Sequence, residues 1–387
     1  MLLNLLLVGL TVSTAFAQRD EAFEEYLRQQ EEAYEAYKEE VTKQYQEFLK
    51  AEREAFKKFQ EEVERKWLKF IGSTEKDWVE YRHNLNVRTK VDFEKGEAWV
   101  EVLVNSDPQE EVARLKQAVA ELVNDRGTTS DYEVRMPDGT VDVPKPLSDE
   151  PVLSRQLRTS DGKPVTEENA EVFASEVVRE PYIKREEVVG KDGKRRTKLS
   201  VRFPLVPDHL RVRAQKYADL VHQYASKFQL SPPLVFAVIH TESHFNPKAR
   251  SPVPAYGLMQ LVPTSGGRTA YRYIYKEDKV LPPSYFFVPR NNIELGCGYL
   301  HYLRTRIFRG IQDDRKAIYC AVAAYNTGPG NVARAFAGKG SLKKALPLVN
   351  RMAADEVYDR LRRKLPYRET RKYVEKVFNR MPLYRDS

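Results

Sequence analysis

One residue stands out for its chemistry. Glu242 closes the run Leu234-Val235-Phe236-Ala237-Val238-Ile239-His240-Thr241-Glu242-Ser243. Hydrocarbon on most sides makes a carboxyl group resist ionisation and raises its pKa. A carboxyl that keeps its proton near neutral pH is a general acid. A metal reading competes for the same stretch. His240 and His244 are four residues apart and flank Glu242, a spacing that puts two imidazoles on one helix face. The zinc-protease pattern needs Glu directly after the first His, and Thr241 stands there. No third ligand is signalled by spacing. The acid reading is preferred, and no metal or cofactor is expected. A second carboxylate to place water is not signalled either.

The elements around this residue read as helices. Asp208 caps a helix whose apolar face carries Leu210, Ala214, Tyr217, Val221, Tyr224 and Phe228. Ser231 with Pro232 and Pro233 opens the helix that carries Glu242. Further helices are predicted at Asn292–Phe308, Arg315–Tyr325, Leu342–Asn350, Ala354–Leu365 and Glu369–Asn379. The aromatic-rich stretch Tyr271–Phe287 offers ring faces that suit sugars, or that simply pack a loop.

Residues 73–205 read as mixed α/β. Val91 and Phe93 precede a Lys95-Gly96 turn, and Ala98, Val100, Val102 and Val104 alternate after it, which predicts a hairpin. A helix follows at Glu110–Asn124. Residues 126–165 are rich in Asp, Gly, Pro and Ser and read as loop. A second hairpin is predicted over Tyr182–Leu205, turning at Lys191-Asp192-Gly193-Lys194.

Upstream, residues 23–70 repeat every eleven. Phe23, Tyr34, Tyr45, Phe56 and Trp67 form one row, and Tyr26, Tyr37, Phe48, Phe59 and Phe70 another. Eleven residues over three turns keep a stripe nearly straight along a helix. One helix of about 48 residues, roughly 70 Å long, is predicted. Its stripe needs burial, and pairing with a second copy is the preferred reading over packing on the same chain or lying on a membrane. Leu2–Leu10 form a short apolar run followed by Ala15-Phe16-Ala17, a signal-peptide pattern with cleavage before Gln18. The run is too short to span a membrane. No Cys sits near the cleavage point, so lipid attachment through a cysteine is not expected. Cys297 and Cys320 read equally as a disulfide or as two buried thiols.

The net charge is +8. Residues 20–66 hold 15 acidic and 9 basic side chains, so the remainder carries a net charge near +14. A basic body suits an acidic polymer. The basic residues are dispersed and the chain reads as exported, which argues against nucleic acid.

Glu242-Ser243, Phe245-Asn246-Pro247, Ser251 and Gly257-Leu258-Met259-Gln260 resemble the lysozyme-related transglycosylase family. Asn292-Ile293, Gly296, Tyr299-Leu300, Ala324-Tyr325-Asn326, Gly328-Pro329-Gly330, Glu369-Thr370-Arg371 and Tyr373-Val374 follow in that family's order. Residues 75–205 resemble the N-terminal domain of the type C membrane-bound lytic murein transglycosylases. The resemblance implies an α+β multidomain chain. With the signal peptide (1–17) and the long repeat helix (18–71) read above, which lie outside the resemblance, the expected parts are completed by a small α/β domain (72–205) and a mostly α, lysozyme-like catalytic domain (206–387).

It also implies a peptidoglycan lytic transglycosylase that leaves 1,6-anhydromuramic ends, with Glu242 as its lone acid. Ser251, Gln260, Tyr325, Asn326, Glu369 and Tyr373 match cleft positions that bind substrate. A non-catalytic wall-binding scaffold and a muramidase hydrolase on the same fold are the alternatives. A periplasmic location is expected. The lipidated cysteine that tethers the resembling enzymes is missing, which leaves membrane association open.

Overall fold

The computed structural model describes residues 28, 36, 39–40, 43–104, 108–136, 138–252 and 254–387. The signal-peptide reading and most of the eleven-residue repeat lie outside these residues. The chain divides into two units, residues 1–51 and residues 52–387. In the first, residues 43–51 are helical, and the rings of Tyr45 and Phe48 stack with centroids 6.4 Å apart.

The second unit opens with helix α1, residues 52–66. It stops four residues short of the predicted end at Phe70. Trp67 turns inward instead, and its Nε1 donates to the Leu85 carbonyl at 2.7 Å. Phe59, Val63 and Trp67 are buried against Val79, Tyr81 and Leu103. The Phe70 ring stacks on Tyr81. This end of the aromatic stripe is therefore covered by the chain's own sheet rather than by a second copy.

That sheet has five antiparallel strands, β1 (Asp77–Arg82), β2 (Val87–Asp92), β3 (Glu97–Val104), β6 (Lys184–Val189) and β7 (Arg195–Pro204), in the order β1-β2-β3-β7-β6. A two-residue ladder, β4 (Val134–Arg135) with β5 (Val141–Asp142), lies in the predicted loop. Both predicted hairpins are present, and Gly96 (φ +70°) and Gly193 (φ +73°) supply the left-handed turn residues. Helix α2 (Pro108–Val123) falls where expected, and helix α3 (Ala170–Val177) joins it on the sheet. Their shared core holds Trp78, Phe93, Leu115, Leu122, Phe173 and Leu199. Strand β1 is covered on both faces, so it shows no alternation of burial and gave no period-two signal.

The remainder is helical: α4 (His209–Lys216), α5 (Ala218–Lys227), α6 (Pro232–Ser243), α7 (Arg268–Tyr275), α8 (Pro283–Phe287), α9 (Pro289–Tyr302), α10 (Asp314–Thr327), α11 (Pro329–Ala337), α12 (Leu342–Arg351), α13 (Ala354–Lys364) and α14 (Arg368–Arg380). The single helix expected over 208–228 is two. Tyr217 leaves helical geometry (φ −104°, ψ 6°) between α4 and α5, and its ring lies parallel to Phe245 at 6.5 Å. Helix α6 is buried on every side from Leu234 to His240, so it forms the axis of the helical core. Cys297 and Cys320 are buried free thiols. The molecule is thus mostly helical with a small antiparallel sheet.

Candidate active site

Glu242 sits in the last turn of α6. The chain then reverses through two successive left-handed residues, His244 (φ 52°) and Phe245 (φ 61°). Such backbone is unfavourable for residues with a Cβ and persists only where the surroundings hold it. Here they do. Ser243 is fully buried and its Oγ donates to the Ile239 and Leu258 carbonyls at 3.1 and 2.8 Å. Phe245 is fully buried among the rings of Tyr217, Phe236, His240 and Tyr384. Arg380 Nη1 donates to the His240 carbonyl at 3.1 Å and Arg213 Nε to the His244 carbonyl at 3.1 Å. Cations at the end of a helix suit its negative dipole.

Burial pushes the Glu242 carboxyl up to about 8. The Tyr373 hydroxyl opposes that shift, while the carboxylates of Glu369 and Glu75 add to it. Tyr373 Oη is buried and makes no hydrogen bond of ordinary geometry, so its contact with Glu242 is long or bent. The hydroxyls of Tyr373 and Tyr325 are both held well above their ordinary pKa, by burial first and then by the Glu242 charge.

Every second residue after the turn is an anchor. Asn246 Nδ2 donates to the carbonyls of Thr74 and Asp77, at 3.2 and 3.3 Å, just before and within β1. Lys248 Nζ lies 3.2 Å from Glu80 and 3.1 Å from Asp131. Arg250 Nη2 lies 2.8 Å from Glu52 on α1, and its Nη1 donates to Tyr132 Oη at 3.2 Å. The loop behind Glu242 is thus fastened to the sheet side of the same unit.

The next turn is fixed by Asn292. Its Nδ2 donates to the Tyr256 and Phe286 carbonyls, at 2.8 and 2.7 Å, and its Oδ1 accepts from Met259 N at 2.7 Å. Gly257 has φ +77°, and a Cβ there would collide with Phe286 O and the Asn292 amide, so no other residue fits.

The structure places the sequence-derived residues in two groups. Tyr373 and Glu369 act on the Glu242 carboxyl, one lowering and one raising its pKa, and Tyr325 feels its charge. Tyr325 Oη donates to the Met259 carbonyl at 2.7 Å. Glu369 is exposed in the first turn of α14. The other three lie apart from the carboxyl's hydrogen bonding. Gln260 (φ 46°) spends its Nε2 on the Ala249 and Gly257 carbonyls, at 3.0 and 2.9 Å, and its Oε1 is buried without a partner. Ser251 is half-buried on the same loop, its N–H on the Ala255 carbonyl at 3.2 Å. Asn326 is exposed near the end of α10.

Glu75, Lys248 and Arg250 escaped the sequence reading. The available signal was the period-two polar spacing Asn246, Lys248, Arg250. In the aromatic stretch, Phe286 and Phe287 are buried, and Tyr275 Oη donates to Glu294 at 2.8 Å. The stretch read as loop is thus largely helical, and these side chains pack α7 and α8 against their neighbours. The His240 and His244 rings lie edge to face at 5.0 Å, and His240 Nδ1 is engaged by Tyr384 Oη at 2.8 Å. Burial pushes both imidazoles down, to about 2 and about 3, so they are neutral.

Comparison with known proteins matches two family models in sequence order. The family model of the transglycosylase SLT domain matches residues 219–347, and that of the membrane-bound lytic murein transglycosylase C N-terminal domain matches residues 41–216. The chain is 33% identical over 314 residues to membrane-bound lytic murein transglycosylase C of Yersinia enterocolitica, covering 80% of this chain and 82% of that protein. The same enzyme of Sodalis glossinidius is 33% identical, with 80% and 83% covered. The solved 70 kDa soluble lytic transglycosylase of Escherichia coli aligns at 30% identity with a TM-score of 0.35, over 46% of this chain and 25% of that one. With two family models in sequence order and one third identity over four fifths of its length, the chain belongs to the membrane-bound lytic murein transglycosylase C family.

Proposed function

We propose that Glu242 is the single acid and base of this peptidoglycan lytic transglycosylase. The supporting observation is a carboxyl in the last turn of a buried helix, pushed up to about 8 by its surroundings. At neutral pH such a group holds its proton and gives it up only to a developing oxyanion. In the reaction it protonates the oxygen that joins N-acetylmuramic acid to N-acetylglucosamine. The C1–O bond breaks, and the muramic 2-acetamido oxygen bonds to C1 in its place. The Glu242 carboxylate then takes the proton of the C6 hydroxyl. O6 bonds to C1 as the acetamido oxygen leaves, and the proton is back on Glu242. No water is consumed and the product ends in 1,6-anhydromuramic acid. One carboxyl thus suffices where most glycosidases use two.

Tyr373 supports the ionised intermediate form, since its hydroxyl faces Glu242. Tyr325 holds the turn at Met259. Gln260, Ser251, Asn326 and Glu369 complete the substrate contacts. In the proposed division into 1–17, 18–71, 72–205 and 206–387, the sheet serves as the scaffold that fastens the loop behind Glu242. A periplasmic location with membrane association fits the family. No helix among the described residues is long and apolar enough to cross a membrane.

Purified peptidoglycan digested with the full chain and with Glu242→Gln, with products weighed by mass spectrometry, tests this. Anhydromuramic ends from the unaltered chain alone are expected. Reducing muramic ends would replace the reading with a hydrolase, and no products from the folded chain would leave a binding scaffold.

A further inference from the structure

A second charged feature lies away from Glu242. Two cavities of about 450 and 400 Å³ adjoin each other and share Ser154, Arg155 and Arg158 in their walls. The larger is lined by five cationic side chains, Arg155, Arg158, Arg211, Arg213 and Lys216, against the carboxylates of Glu150 and Asp208. Lys216 is partnered, with its Nζ 3.2 Å from the Pro151 carbonyl and 3.8 Å from Glu150. Arg155, Arg158 and Arg211 are exposed, and the described residues offer their side chains no ion pair.

Arg213 forms the buried part of the same wall. Among the described residues it has no carboxylate partner. Its guanidinium is held by neutral acceptors: Gln156 Oε1 at 2.9 Å, the Phe93 carbonyl at 2.9 Å and the His244 carbonyl at 3.1 Å. Arg155 occupies the left-handed region (φ 61°) on a turn between Pro151 and Gln156. Its neighbour Leu153 is buried in the sheet's core. The smaller cavity is more apolar, with Val123, Pro151, Pro164 and Val165 in its lining beside Thr166 and Glu167, whose carboxylate lies 3.3 Å from Arg126.

We propose that this groove is a peptide site, which binds the carboxylates of the peptide stems that branch from peptidoglycan strands. The inference rests on the reading of the chain as a peptidoglycan enzyme. A stem peptide carries several carboxylates and small alkyl side chains in a short length. Planar guanidinium groups pair with carboxylates through two parallel hydrogen bonds. The apolar compartment beside them suits alanine methyls. A lipid phosphate would engage the exposed arginines and leave that compartment unused. Arg213 connects the site to the catalytic turn, because the guanidinium that lines the groove also holds the carbonyl two residues after Glu242. A stem seated there would fix the strand on the protein while Glu242 works on the sugar.

The test uses the full chain and the free stem tetrapeptide released from peptidoglycan by an amidase, with binding followed by titration calorimetry. Arg155→Glu combined with Arg158→Glu is expected to weaken binding about tenfold or more, as is Arg211→Glu alone. All three positions are exposed, so folding is expected to survive. A tetrapeptide with its carboxylates capped as amides should not bind. Cleavage of peptide-free glycan strands should stay within about twofold in these variants, while kcat/KM on peptide-bearing sacculi falls severalfold.

Equal tetrapeptide binding by the charge-reversed variants, or equal binding of the capped peptide, would overturn the proposal. So would binding to phosphatidylglycerol vesicles, in place of peptide, that is lost on charge reversal. Failure of the unaltered chain to cleave peptide-free strands would instead strike the catalytic reading, and the binding measurement would still decide this one.

Discussion

Glu242 and Glu80 are two glutamates in enclosed sites of one compact unit, and their carboxyl groups behave in opposite ways. Burial raises both. At Glu242 only the Tyr373 hydroxyl opposes it, and the pKa ends near 8. At Glu80, which is 2% exposed, Lys248 and Arg82 overcome burial and hold the carboxyl well below the usual range. Lys248 Nζ lies 3.2 Å away and Arg82 Nη2 2.8 Å away. The lesson is that burial alone does not make an acid. The difference is the cation beside the group. Glu80 is a permanent anion that fastens the Lys248 loop to β1, and Glu242 keeps its proton to higher pH because none of the groups that act on it is a cation.

The largest effect expected is from Glu242→Gln, which should lower kcat by about a thousandfold or more. The same substitution should raise thermal stability. A carboxyl whose folded pKa lies near 8 favours the folded state while protonated, and that contribution is lost as pH rises from the unfolded value near 4.5 through 8. Removing the ionisable group removes the loss. By calorimetry the variant should gain about 2–4 °C in Tm at pH 8 and little at pH 5. A gain independent of pH would mean that Glu242 is not the desolvated acid described.

Glu80→Gln should go the other way. It leaves Lys248 buried, with Asp131 as its remaining carboxylate, and breaking a buried pair in this manner costs about 3–5 kcal/mol. For a depressed carboxyl the stabilisation is present above the unfolded pKa and fades as pH falls, so the difference from the unaltered chain should shrink in acid. Glu80→Gln with Lys248→Met should cost less than the sum of the two single changes, since they share one interaction. Additive losses would break the comparison, because Lys248 would then not be what holds Glu80 ionised.

The two glutamates also differ in how far the sequence announced them. Glu242 was legible because an unbroken apolar run surrounds it and the motifs that follow keep their order. Glu80 was not. It lies in Trp78-Val79-Glu80-Tyr81, where both faces of the strand are covered and a charge interrupts the apolar residues, so neither period-two alternation nor a continuous apolar run marks β1. Its partners Lys248, Asp131 and Arg82 are scattered along the chain, and only the sheet brings them together. Helix α11 was missed for a local reason. Gly328-Pro329-Gly330 reads as a turn, yet Pro329 stands in the first helical position, where its missing N–H costs nothing. The grooved arginines 155, 158 and 211 likewise gave no signal, because their proximity is purely topological.

Smaller changes test how the Glu242 surroundings set its pKa. The alkaline limb of kcat/KM reports the pKa of the free enzyme's acid, so activity should fall above about pH 8. Tyr373→Phe removes the hydroxyl that lowers that pKa. The limb should move to higher pH, and kcat should fall by about tenfold because the ionised form loses its hydrogen-bond donor. A fall in kcat with no movement of the limb would make Tyr373 a packing residue only.

The smallest effect should come from Glu369→Gln. Its carboxylate adds to the upward shift of Glu242, behind burial in weight. It is exposed, so water and salt screen it. The limb should therefore move down by no more than about 0.5 pH unit, and the shift should shrink further in 1 M salt, where the screening length is about 3 Å. A drop of a full unit or more would mean that a neighbouring charge, rather than burial, sets the pKa of Glu242. The contrast with Glu80 would then lie in the sign of the nearby charge alone. A drop within the expected range would leave desolvation as the main cause, and the apolar walls of α6 as the part of the sequence that makes the acid.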